Sequence, residues 1–175
     1  FLNGRLVPAA DLTLSPADAG FVSGATVTDF CRTYGRRLFR WPAHLARFRR
    51  DCAACRVPLP YPDAGLTAAA EALAAHNAAL LPAGAELALV TFATPGPLAY
   101  MTGDPDTGPP TVGMHTFPLN PDRYRRFFTD GVTLAVAGTL PADPLAVVPA
   151  GAKHRSRLHW WLAEHAVRDP ASPHY

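Results

Sequence analysis

The chain has 175 residues, a formal net charge of +2, and about half of its residues are apolar. That length holds one good core, or one small domain and part of another. The charge is too small to imply a nucleic-acid or membrane partner, no Lys/Arg stripe interleaved with aromatics occurs, and no apolar run approaches the ~20 residues of a membrane span.

The 19 prolines and 13 glycines are spread as turn punctuation rather than gathered into a tract. Cys31, Cys52 and Cys55 are an odd number of cysteines, which argues against a disulfide framework and for a reducing, cytoplasmic compartment. No signal peptide is visible, and the chain opens on Phe1 rather than Met.

In chain order, FLNGRLVP (1–8) carries a hairpin signal, because Asn3-Gly4 supplies the positive φ of a type I′ turn. TVTDFCRTY (26–34) is β-branched and aromatic and is expected to be a strand. Gly35-Arg36 turns it, and RLFRW (37–41) returns antiparallel. Pro42 suits the first position of a helix whose apolar face is Leu45, Phe48, Cys52 and Cys55. A second, Ala-rich helix is expected over 66–80.

Strands are expected over 86–94 and 111–119, with a long Pro/Gly loop over 95–110 between them. PDRYRRFF starts a short helix. GVTLAVAG (131–138) has strand character, and a Pro-rich loop follows. RLHWWLAEHAV (157–167) is expected to be a helix with Leu158, Trp161, Leu162 and His165 on one face. The order predicts an α+β chain, with a small domain over 1–117 and the start of another over 118–175.

Candidate chemistry is sparse. Cys52 and Cys55 form a C-x-x-C late in a helix, on its apolar face. There they read as core packing rather than a redox or zinc pair. The histidines show no metal spacing, and no Gly-rich phosphate loop is present. His44 and Arg47 share one helix face, either as a solvated basic surface or as an anion contact.

Lys153 is the only lysine beside fifteen arginines. It could be an accident of an arginine-biased sequence. The chemical alternative is that an amine can lose its proton and attack a carbonyl, which a guanidinium does not do.

An ordered set of residues resolves these alternatives by resemblance. Asn3-Gly4, Asp18-Ala19-Gly20-Phe21 with Gly24, the strand that follows, Phe39, His44-Leu45-Ala46-Arg47 and the late Lys153 resemble the class IV pyridoxal-phosphate enzymes. That family holds the branched-chain and D-amino-acid aminotransferases and the aminodeoxychorismate lyases. The resemblance implies fold type IV, with a small α/β domain followed by the beginning of a larger cofactor-binding domain.

It also implies pyridoxal 5'-phosphate as cofactor and an amino acid and a 2-oxo acid as substrates. A homodimer is expected. Lys153 would hold the cofactor as a Schiff base and then carry a proton, and Arg47 would contact the cofactor phosphate. The expected reaction is transamination. KHRSRL (153–158) is closer to the lyase-like members, so β-elimination stands as an alternative, as does a non-catalytic binding domain.

The sequence departs from the family in three places. The strand usually reads G-x-x-(aromatic)-Glu, whereas Val27-Thr28-Asp29 stands here, so Thr28 and Asp29 are expected at an altered substrate pocket. VTFATPG (90–96) lacks the arginine that some relatives use for a substrate carboxylate. The family's glutamate partner of the pyridine nitrogen lies further on than Tyr175, so the stretch is expected to be either a fragment of a longer enzyme or not an active enzyme as it stands.

Overall fold

The computed structural model describes residues 1–103, 108–134 and 151–168. It contains two compact units: Phe1–Leu119 with Gly151–Arg155, and Asn120–Ala150 with Ser156–Tyr175.

The first unit is a four-stranded antiparallel sheet with helices on one face. A 3-10 turn, Ala9–Asp11, and a short helix α1, Ala19–Val22, lead into β1, Val27–Tyr34. Then come β2, Arg37–Leu38, α2, Trp41–Ala54, and α3, Asp63–Ala79. β3, Leu87–Thr94, α4, Ala99–Thr102, and β4, Thr111–Pro118, complete it. The strand order is β2-β1-β3-β4.

β3 is buried along its whole length because it lies between β1 and β4. In β1 the pleat sends Val27, Asp29, Cys31 and Thr33 to one face and Thr28, Phe30, Arg32 and Tyr34 to the other. Val27 and Cys31 meet Leu45, Phe48 and Cys52 of α2, Leu66 and Ala70 of α3, and Leu89, Ala93, Val112 and Met114 of the sheet. The alanines at 70, 74 and 78, one turn apart, let α3 lie close.

The N-terminal turn has the expected form, with φ of 46° at Asn3 and 86° at Gly4. Its first arm also pairs with the outer edge of β4 through Leu2 and Gly113. β2 is shorter than expected. Arg40 takes a left-handed conformation (φ 51°), which turns the chain into α2 at Trp41 before the strand can continue. α3 starts at Asp63, where the Pro62 carbonyl accepts the first helical N–H, from Leu66 at 3.1 Å, and an acidic residue suits the first turn.

Cys52 is buried in the core and its thiol is pushed up to about 12, chiefly by burial, so it packs as an apolar group. In the second unit, α5 spans Asp122–Thr129 and α6 spans Leu158–Arg168. Leu158, Trp161 and Leu162 of α6 are exposed. Of the expected strand 131–138, residues 131–134 form no strand and the rest lies outside the described residues.

Candidate active site

Lys153 belongs to the segment Gly151–Arg155, which groups with the first unit although it is far from it in sequence. Two main-chain hydrogen bonds attach this segment to the free edge of β1. Thr28 N–H donates to Lys153 O at 2.9 Å, and Arg155 N–H donates to Thr26 O at 2.9 Å. They flank an antiparallel bridge between Val27 and His154.

In that register Lys153 and Arg155 share the face of Thr28, while His154 takes the face of Val27. The side chains agree. Lys153 Nζ lies 5.9 Å from the Phe30 ring centre, and the Arg155 guanidinium lies 5.5 Å from that of Phe92. Phe117 stands 5.9 Å from Phe30 on the same face. His115 is nearby, and burial followed by the charge of Arg155 pulls its pKa down.

On the opposite face, Asp29 joins β1 to α2. It is 2% exposed. Arg47 Nε donates to its Oδ2 at 2.7 Å and an Arg47 terminal nitrogen to its Oδ1 at 3.0 Å. His44 Nδ1 lies 2.7 Å from Oδ1. An ionised carboxylate only accepts, so His44 Nδ1 carries the proton and donates. The 3.1 Å approach of Arg47 to that same nitrogen is therefore a contact and not a hydrogen bond.

Burial pushes the Asp29 carboxyl up. The hydrogen bonds from Arg47 and His44, with the charges of Arg47 and Lys153, outweigh it, so the group is held below the usual carboxylate range. Asp29 in turn strengthens the protonation of Arg47.

A consequence is testable. A depressed folded-state pKa stabilises the protein above the unfolded value of 3.8 and loses that contribution as pH falls through the folded value. Asp29→Asn should therefore cost about 2 kcal/mol at pH 7, the lower end for a buried ion because Arg47 is partly exposed. Thermal denaturation at pH 7, 5 and 3 should show the gap between wild type and variant closing below pH 4. A gap that stays constant to pH 3 would reject the assignment.

The structure therefore puts the four residues singled out by sequence in one unit, in different settings. Thr28 is buried and its hydroxyl donates to Thr91 O at 3.1 Å. Asp29 lies on the other face, committed to Arg47 and His44. Arg47 is fixed but retains N–H donors, because Asp29 takes two of its five. Lys153 is held through its main chain.

Sequence reasoning overlooked Asp51, whose Oδ2 accepts the Lys153 N–H at 3.1 Å. Its only signal was a position four residues after Arg47 on the same helix face. Among the described residues no cluster of three or more His, Cys, Asp or Glu side chains could hold a metal ion, and no helix is long and apolar enough to cross a membrane.

The donor set suits an aldehyde phosphate: an amine that can form a covalent bond, and a fixed guanidinium with N–H groups to spare.

Comparison with known proteins agrees on the fold. A hypothetical aminotransferase from Mycobacterium tuberculosis, solved in an apo form, is 24% identical. It aligns over 94% of this chain and 55% of its own, with a TM-score of 0.72. Its pyridoxal-phosphate-bound form aligns over 94% and 56% at 21% identity, with a TM-score of 0.67. The Escherichia coli branched-chain amino acid aminotransferase is 19% identical over 68% of this chain and 39% of its own, with a TM-score of 0.57.

This chain thus spans roughly half the length of these structures or less, and its mixed α/β architecture is that of fold type IV. A search of curated proteins found no match. The profile of the class IV amino-transferases accounts for residues 26–170, from the residue before β1 through Lys153 and beyond. The chain belongs to the class IV aminotransferase family, whose members use pyridoxal phosphate.

Proposed function

We propose that the protein is a pyridoxal-phosphate-dependent aminotransferase that moves an amino group between an amino acid and a 2-oxo acid. One observation carries this reading. The segment bearing the only lysine is pinned to the β1 edge and to α2, in the same compact unit as an Asp29-clamped Arg47.

When bound, the cofactor supplies an aldehyde that an amine can capture and a ring that accepts electrons from the substrate Cα. In this reading Lys153 Nζ holds the cofactor covalently, and once displaced it accepts and returns the Cα proton. Arg47 binds the phosphate with the donors left to it, and Asp29 aims that guanidinium. Thr28, on the face shared with Phe30 and Lys153, leaves room where the family places an aromatic ring. Asp29 acts on the substrate pocket through Arg47.

Residues 1–117 form the small domain and 118–175 open the larger one, with the 151–155 segment returning to the small domain. The family's habits support a homodimer, and the odd number of cysteines supports a reducing, cytoplasmic setting.

The test is a reduction trap. The complete protein carrying this chain is incubated with pyridoxal 5'-phosphate, reduced with borohydride and mapped by peptide mass spectrometry. The cofactor should appear on Lys153. A folded protein with no adduct there overturns the proposal.

A further inference from the structure

Two charged residues stand one turn apart on α2, Arg47 and Asp51. Asp51 is 3% exposed. Its Oδ1 accepts from Arg50 Nε at 3.1 Å and from an Arg50 terminal nitrogen at 2.9 Å. Its Oδ2 accepts the main-chain N–H of Lys153 at 3.1 Å.

A buried carboxylate is costly unless its oxygens are satisfied, and here the two oxygens are divided between an arginine and the lysine's own amide. The main-chain bonds to Thr26 and Thr28 set where the 153–155 segment lies along β1. The Asp51 contact ties the same segment to the helix that carries Arg47.

We propose that Asp51 is a positioning residue and that α2 acts as a ruler. It fixes the separation between the guanidinium that takes the cofactor phosphate and the lysine that takes its aldehyde. The inference rests on the proposed function, because it needs Lys153 and Arg47, from opposite faces of β1, to meet the two ends of one molecule across the free edge of that strand. It assigns Asp51 no contact with cofactor or substrate. What it predicts is discrimination: an aldehyde bearing the phosphate depends on the ruler, and the same aldehyde without the phosphate does not.

The experiment uses the complete protein and two probes, pyridoxal 5'-phosphate and pyridoxal. Borohydride-trapped adduct on Lys153 is measured against the concentration of each. Asp51→Leu removes the acceptor, Asp51→Glu keeps acceptor and charge but lengthens the arm, and Asp51→Asn keeps an acceptor at the original length.

Leucine and glutamate should each weaken capture of the phosphorylated aldehyde roughly tenfold, the scale of a small misplacement, and leave pyridoxal capture nearly unchanged. Asparagine should restore the preference for the phosphorylated form. If the leucine variant does not fold, the glutamate and asparagine pair still decides the matter. Equal weakening toward both probes would make Asp51 a structural tie only and overturn the proposal, as would no change in either. A wild-type protein with no adduct on Lys153 from either probe would instead overturn the parent reading.

Discussion

Lys153→Arg is expected to lower transamination by roughly 10^4-fold or more, because the proposed function then loses covalent capture together with a proton-transfer role worth about 10²–10⁴. The substitution keeps positive charge and a long apolar stem beside Phe30, but the guanidinium neither deprotonates nor attacks an aldehyde. The contacts that tie residue 153 to Asp51 and Thr28 use its main-chain N–H and C=O, so they do not depend on the side chain. The melting temperature should therefore stay within about 2 °C of wild type, as for other changes that leave the packing alone. Steady-state rates and thermal denaturation on the same preparations separate the two effects. A variant within tenfold of wild-type activity would return Lys153 to an accident of composition.

Local physics made most of the strands and helices of the first unit legible. β1 announces itself by Val27, Thr28, Phe30 and Thr33, and α2 by the spacing of Leu45, Phe48 and Cys52. Errors fell where one residue's backbone overrode the pattern. Nothing in the letters RLFRW says that Arg40 will adopt a positive φ and end β2 after two residues.

The site was harder to read, for a different reason. Helical spacing puts His44 and Arg47 on one face, but their partner Asp29 comes from a strand, and no local rule pairs an aspartate at 29 with a helix at 41–54. The docking of residues 153–155 on β1 spans more than a hundred residues of sequence. Its being the only lysine drew attention to Lys153, and family resemblance, not periodicity, gave it a role. Asp51 escaped both, since its partner is a main-chain amide that any residue but proline would present at 153.

Asp18→Ala is expected to destabilise the protein by about 3–4 kcal/mol, the largest loss from any single side chain discussed above. Asp18 is fully buried. Its Oδ1 accepts the Gly20 N–H at 2.7 Å as the cap of α1, and its Oδ2 accepts the hydroxyls of Thr94 at 2.9 Å and Thr111 at 2.7 Å. One carboxylate thus joins the approach to β1, the end of β3 and the start of β4.

Alanine leaves one amide and two hydroxyls to find new partners in a site closed to solvent. Each orphan costs about 1–3 kcal/mol, and the sum falls short of additive because the hydroxyls can rotate. Asp18→Asn should cost only about 1 kcal/mol, because its oxygen can keep Gly20 and its amide can donate to the two threonines. At roughly 2–4 °C per kcal/mol for a chain of this size, the alanine variant should melt on the order of 10 °C lower and the asparagine variant only a few degrees lower.

Gly20→Ala probes the same junction from the other side. A Cβ there would lie 2.3 Å from Thr94 Cγ2 and 2.6 Å from Thr26 Oγ1. The junction also reaches the lysine segment. Thr26 donates its hydroxyl to Gly20 O at 3.3 Å, and its own carbonyl receives the Arg155 N–H at 2.9 Å. Loss of the Asp18 anchor should therefore weaken cofactor capture at Lys153 even below the melting temperature, and Asp18→Asn should largely preserve it. An alanine variant that melts lower yet captures cofactor as wild type does would confine Asp18 to stability and uncouple the junction from the site.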